Sequence, residues 1–266
     1  MPRLLIFGPG HSARRIAALV EARGWEVEMI DRARFVDGDF VRGAIRRASH
    51  LLSSVPPLDG HDPVLALYGQ ALAVAPLHWV GYLSSTGVYG DAGGAWIDES
   101  APLSGRRNAR IDADRAWQAL RSDVSIFRLP GIYGPGRSPF DKLREGSAHR
   151  IAVPGHVFSR IHVDDLARGV VASMIGPPGI YHLADDCPAP QEAVVAYAAQ
   201  LLRMEPPPLQ TLGEAGLSPM ARGFYSTSRR ISNAKARNLL GWRPLYPSYR
   251  EGLMAVVEGL AQTPLL

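Results

Sequence analysis

Met1-Pro-Arg-Leu-Leu-Ile-Phe-Gly-Pro-Gly-His-Ser-Ala-Arg-Arg-Ile-Ala-Ala-Leu-Val20 is the stretch that decides how the rest of the chain reads. Leu4 to Phe7 is a short apolar run that stops at glycine, the pattern of a buried strand. Ala13, Ile16, Ala17 and Val20 then recur at helical spacing, with Gly24 as a C-terminal stop. Between strand and helix lies Gly8-Pro9-Gly10-His11-Ser12-Ala13. Gly8 permits a tight turn, Gly10 lets the backbone approach a ligand, and the small Ala13 lets the helix lie close on the strand. The free N–H groups of the helix N-terminus would face an anion, which makes the turn a dinucleotide-diphosphate site.

Two glycines alone are weak evidence; here they stand in the strand–turn–helix context that the chemistry needs. A second strand, Trp25 to Ile30, ends at Asp31, close to the spacing expected of a carboxylate that holds the adenosine ribose. Arg32 follows at once. Asp31 favours an unphosphorylated ribose and the arginine a 2′-phosphate, so the expected cofactor is NAD or NADP, with a slight preference for NAD.

Composition bounds the alternatives. The 266 residues carry a formal charge of +4 and a single cysteine, Cys187. One cysteine permits no intrachain disulfide and no thiolate metal cluster, and the histidines show no metal-ligand spacing, so no metal is expected. Of the 29 Lys and Arg residues only Lys142 and Lys235 are lysines, and the basic residues are scattered without an interleaved aromatic platform. A nucleic-acid partner is therefore not expected. No apolar run approaches membrane-spanning length and the first strand begins almost at once, so the expectation is a cytoplasmic protein with a small-molecule substrate.

Along the chain, Phe35 to Arg47 reads as a helix and His50 to Pro57 as a third strand ending in a turn. The end of that strand, Ser54 and Val55, should lie beside the glycine loop, because ligands of open α/β sheets bind off the carboxyl ends of strands. Helices at Pro63–Ala75 and 106–120 alternate with strands at His78–Ser85 and Val124–Leu129, with a loop at Gly90–Pro102. The second half offers a short helix at Phe140–Gly146, a strand at Arg160–Val163 and a helix through Met174 capped by Asp164 or Asp165. A returning strand at Ile180–Ala184, a helix at Gln191–Leu202 and helices at Ser232–Leu240 and Tyr249–Leu260 complete it. The fold class is α/β: a Rossmann doubly wound parallel sheet with a small C-terminal substrate lobe. Residues 1–135 form the NAD(P)-binding domain and 136–266 mainly the lobe, with about 160–184 returning to the sheet.

Seven stretches, in order, resemble one family. They are Gly8–Ala13, Leu83-Ser-Ser-Thr-Gly-Val-Tyr-Gly90, Asp98-Glu-Ser-Ala-Pro102, Phe127-Arg-Leu-Pro-Gly-Ile-Tyr-Gly-Pro-Gly136, Arg160-Ile-His-Val-Asp-Asp-Leu-Ala167, Tyr181-His-Leu-Ala-Asp-Asp186 and Lys235-Ala-Arg-Asn-Leu-Leu-Gly-Trp242. Together they resemble the extended short-chain dehydrogenase/reductases, in the NAD-dependent epimerase/dehydratase branch, of which this chain would be an atypical, shortened member. The resemblance implies hydride transfer at a carbinol carbon of a nucleotide sugar or another carbonyl or hydroxyl compound. It implies homodimers paired through the helices flanking the fourth and fifth strands. It also adds Ser84, Arg110, Pro130 and Ile132 to the cofactor set, and Ser85 to the catalytic one.

The family carries its acid–base work on a Tyr and a Lys four positions apart on one helix. Aligning Ile111-Asp-Ala-Asp114 with the family pattern puts Arg106 at the Tyr position and Arg110 at the Lys position. Arg110 can still hold the nicotinamide ribose, whereas Arg106 cannot exchange protons, its guanidinium being protonated at all working pH. Tyr89 and Tyr133 are the remaining candidates for proton transfer, since the family places both stretches near the nicotinamide. Tyr225-Ser-Thr-Ser-Arg229, in the second half, reads as surface or substrate-lobe structure remote from the sheet's switch point. Two functions stay open: an oxidoreductase or epimerase-like enzyme with an altered acid–base group, and a catalytically silent NAD(P)-sensing regulator.

Overall fold

In the computed structural model, which describes residues 1–262, six parallel strands form the central sheet: β1 (Arg3–Phe7), β2 (Glu26–Ile30), β3 (His50–Ser53), β4 (Trp79–Ser85), β5 (Val124–Leu129) and β6 (Gly179–Tyr181), in the order β6-β5-β4-β3-β1-β2. The chain reverses its direction of travel across the sheet after β2, passing over β1 to β3, so a crevice opens between the carboxyl ends of β1 and β3. The register sets Phe7 opposite both Ile30 and Ser53, which brings the segments after all three strands to one edge. The doubly wound parallel sheet expected from the alternating pattern is present.

Helices α1 (His11–Glu21) and α7 (Val163–Ser173) cover one face, and α3 (Gly38–Arg47), α4 (Pro63–Val74) and α5 (Asn108–Leu120) the other. Each buries the stripe its sequence offers, such as Ala13, Ile16, Ala17 and Val20 on α1. A separate apolar cluster joins α6 (Pro139–Arg144), α8 (Gln191–Leu201) and α11 (Tyr249–Gln262) around Phe140, Val194, Ala198 and Leu253. Between α8 and α11 run the short helices α9 (Pro219–Gly223) and α10 (Ala234–Leu240). Among the described residues, no helix is long and apolar enough to cross a membrane.

Several local expectations are corrected, each for a chain-level reason. The helix expected over Phe35–Arg47 is two: α2 (Arg32–Phe35), capped by Asp31, and α3, capped by Asp37. A capping residue needs non-helical backbone, and Asp37, with ψ of 88°, takes it while its carboxylate accepts from the Phe40 N–H. The helix expected from 106 begins at Asn108, so Arg106 stands ahead of it. Neither Asp164 nor Asp165 caps α7: His162 is the cap, its Nδ1 accepting from the Asp164 N–H, and both aspartates fall in the first turn, where negative charge suits the helix dipole. The helix expected from Ser232 starts at Ala234, because Arg230–Ile231 pairs as a strand with Trp96–Ile97, inside what the sequence offered as a loop.

Candidate active site

The turn after β1 is built as the sequence requires. Gly8 has φ of +79°, and a Cβ there would sit 2.9 Å from Val55 Cγ2, so a side chain would meet both backbone strain and a clash. Its N–H donates to Ile30 O, the Gly10 N–H donates to Gly8 O at 2.7 Å, and the Ser54 N–H donates to Phe7 O at 2.9 Å. Three strand ends are thereby tied around one loop. Gly10 is the N-terminal cap of α1 with no side-chain cap, and nothing lies within 4 Å of where its Cβ would be. The first-turn N–H groups of α1 have no intrahelical partner, and no acidic residue stands among them. Such a terminus accommodates a diphosphate.

A cavity of about 680 Å³ opens at this terminus. It runs past the carboxyl ends of β4 and β5 to Phe224, Ser226 and Thr227 in the C-terminal half. Of the residues singled out from sequence, it brings together Gly10, His11, Ser12, Ala13, Ser54, Ser84, Ser85, Tyr89, Arg110, Pro130 and Ile132. Gly8 and Val55 lie against each other and are not among the residues that line it. His11 Nε2 bonds to Pro135 O at 2.9 Å, and since a carbonyl only accepts, Nε2 carries the hydrogen. His11 Nδ1 is left buried without a partner, a further polar position at this end of the cavity. Asp31 follows β2, the strand beside β1, and its Oδ1 accepts from the Arg34 N–H at 2.9 Å. Asp31 and Arg32 are both exposed, beyond the cavity wall.

The two serines at the end of β4 differ. Ser84 is buried and donates to Asp114 Oδ2 at 2.6 Å. Ser85 Oγ accepts from the Gly87 N–H at 3.1 Å, which leaves its own O–H for a ligand. Register explains what lies beneath: Ser84 pairs with Arg128 on β5, and α5 lays Asp114 over both. Arg128 and Asp114, 2% and 0% exposed, form a two-pronged ion pair, Nε to Oδ2 at 3.1 Å and NH2 to Oδ1 at 2.8 Å. Sequence reasoning missed this pair, although its signal was present: a lone acid on the apolar stripe of a helix and the one charged residue of a buried strand. Opposite charges buried in separate elements need one another.

Tyr89 belongs to that network. Its hydroxyl meets His182 Nε2 at 2.7 Å and accepts from Arg128 NH1 at 2.8 Å. His182 Nδ1 donates to Ser232 O at 3.0 Å, so Nε2 is the acceptor and the Tyr89 O–H donates to it. Burial pushes the phenol up to about 12 despite the guanidinium, and pushes the His182 imidazole down to about 4. The ring of Tyr89 borders the cavity while its hydroxyl is committed to the interior, which sets it against the proton-transfer role considered from sequence. Tyr133 is not brought to the cavity. It is 7% exposed within the lobe cluster, its hydroxyl donates to Ser248 O at 3.4 Å, and burial raises its pKa further still.

The other correction concerns Tyr225–Arg229. Although remote in sequence, this segment reaches the cavity: Ser226, Thr227 and Arg229 line it, while the Tyr225 ring meets His156 at a tilt and Phe158 edge-on. Arg229 joins Arg106, Arg107, Arg110 and Arg137 in the wall, which contains no Asp or Glu.

No family model matches the chain. A conserved protein of unknown function from Silicibacter pomeroyi is 42% identical, with a TM-score of 0.89 over 97% of this chain and 99% of that one. The chain belongs to the same family as that protein. Human epimerase family protein SDR39U1, solved with NADPH, superposes with a TM-score of 0.79 over 96% of this chain and 99% of that one at 16% identity. Thermus thermophilus UDP-glucose 4-epimerase, solved with NAD, superposes with 0.75 over 98% of this chain and 100% of its own length at 20% identity.

The chain shares its fold with both of these proteins.

Among curated proteins, a Streptomyces 3-diazoavenalumate denitrifying reductase is 32% identical over 187 residues, 59% of this chain and 58% of that protein. The chain thus matches little more than half the length of that reductase. Protein YeeZ of Escherichia coli is 25% identical over 285 aligned positions, 93% of this chain and 97% of that protein.

Proposed function

We propose that this chain is an NAD(P)-dependent oxidoreductase that exchanges hydride with a small molecule and does so without a side-chain phenol as proton carrier. The observation that carries the reading is a single cavity that joins the uncapped N-terminus of α1 to the free hydroxyl of Ser85 and to Arg110. A bound nicotinamide supplies the hydride chemistry. Around it the α1 amides hold the diphosphate, Arg110 orients the nicotinamide ribose, and Ser85 donates a hydrogen bond to the substrate atom that gathers charge. The Ser84–Asp114–Arg128 network keeps that strand end rigid.

Tyr89 is the one tyrosine of the wall, and its proton is held by His182. Proton exchange with the substrate oxygen therefore goes through water, or the acceptor takes hydride without needing a proton. The reductase named for the Streptomyces relative supports reduction as the working direction. The favoured cofactor is NAD: Asp31 Oδ2 takes no hydrogen bond in the structure, so it is available to a ribose hydroxyl, and its charge opposes a 2′-phosphate.

Fluorescence titration of the full chain with NADH and NADPH tests the reading. Micromolar binding with NADH tighter is the expected result, followed by cofactor oxidation against a panel of aldehydes, ketones and aryl electrophiles. Failure of both reduced cofactors to bind at millimolar concentration overturns it.

A further inference from the structure

We infer that Arg106, Arg107 and Arg229 form an anion-binding clamp at the substrate end of the cavity, and that the substrate is a small carboxylic acid with an apolar body. The inference rests on the oxidoreductase reading and adds the substrate class.

The two arms of the clamp meet on one turn. The Gly105 N–H donates to Val88 O at 2.9 Å, and a Cβ on Gly105 would run into the Gly87 carbonyl, so the chain carrying Arg106 and Arg107 is pressed onto residues 87–90. From the opposite side Arg229 NH1 donates to Gly90 O at 3.1 Å, and the Ser228 N–H donates to Asp91 Oδ1 at 2.6 Å. Three guanidinium groups are thus brought to one wall by segments more than a hundred residues apart in the chain.

None of the three pairs with a carboxylate among the described residues, although arginines elsewhere, such as Arg121 with Asp123 at 2.7 Å, do so. Arg229 is half-buried with no acid within ion-pair distance, and burial lowers its pKa. A planar guanidinium presents donors in a fork that matches a carboxylate or phosphate. The diphosphate of the cofactor does not account for this charge. Its α1 amides lie at the end of β1, two strand spacings or roughly 10 Å from the end of β4, whose following turn carries the clamp.

The apolar part of the same wall supports an apolar body for the ligand. Val157, Phe158 and Phe224 line the cavity, and Phe224 is 58% exposed. An apolar acid would cover these side chains, whereas a sugar phosphate would leave hydroxyls against them.

The test is calorimetric titration of the full chain with benzoate, inorganic phosphate and glucose 1-phosphate, each with and without saturating NADH. The substitutions are Arg106→Gln with Arg107→Gln together, and Arg229→Gln separately, with thermal melting to confirm that each variant folds. Benzoate is expected to bind the wild type at least tenfold more tightly than either phosphate, to bind alongside NADH, and to lose at least tenfold in the double variant. NADH affinity in that variant stays within threefold. Arg106→Lys with Arg107→Lys, which keeps the charges and loses the forks, recovers less than half of the double variant's loss on a logarithmic scale. Benzoate binding unchanged in the double variant, competition between benzoate and NADH, or preference for either phosphate would each overturn the clamp as stated. Loss of NADH binding in the wild type would instead overturn the oxidoreductase reading, and the benzoate titration without cofactor would still report on the arginines.

Discussion

Tyr89→Phe separates an internal strut from a catalyst, because the substitution removes one oxygen and leaves the ring in place. In the wild type that oxygen donates to His182 Nε2 at 2.7 Å and accepts from Arg128 NH1 at 2.8 Å. Without it, His182 Nε2 becomes a buried acceptor with no donor, which costs about 1 to 3 kcal/mol. Arg128 NH1 keeps its bond to Glu99 O at 3.3 Å, and Arg128 keeps both prongs on Asp114, so the charge stays compensated. The total loss is therefore about 2 kcal/mol, nearer the cost of one orphaned acceptor than that of a broken ion pair. Urea denaturation followed by circular dichroism at pH 7.5 measures it directly. NADH affinity should remain within threefold, since the hydroxyl points away from the cavity. A stability loss below about 0.5 kcal/mol would refute the strut, because the orphaned acceptor would then carry no penalty. A large fall in turnover at unchanged stability would return Tyr89 to the chemistry.

Asp114→Asn removes the charge that balances Arg128 and should destabilise the chain by about 3 to 5 kcal/mol, while Asp114→Met with Arg128→Met should recover most of it in the same urea assay. His182, held near 4 by burial, is a proton acceptor in the unfolded chain near pH 6.5 but not in the folded one. Stability should therefore fall as pH drops from about 6.5 to 4, by ~3 kcal/mol from this residue at the limit, which thermal melting across that range would show. Asp185 has the opposite sign: burial lifts its carboxyl to about 8, so the folded chain holds a proton that the unfolded chain releases near 4, and stability falls as pH rises between the two. Asp185→Asn should accordingly gain much more stability at pH 8.5 than at pH 5 in paired melts. Gly8→Ala places a Cβ at a φ of +79° and against Val55, and isothermal titration should show at least a tenfold loss of NADH affinity.

The strands, the helices on both faces and the glycine turn were legible because their signals are local. A strand announces itself within a few residues, a helix within two turns, and the turn within Gly8 to Ala13. Even there the boundaries slipped where a side chain competed for backbone, as at Asp37 and His162.

The sequence by itself therefore determined the sheet and the glycine turn at the end of its first strand. Tertiary structure alone decided what lines the rest of the cavity. Tyr89 became a strut through His182, 93 positions away, and Arg229 entered the wall through Gly90, 139 positions away. Neither partner leaves a mark in the other's neighbourhood of the chain, because such contacts are fixed by how the lobe closes on the sheet rather than by any period in the residues.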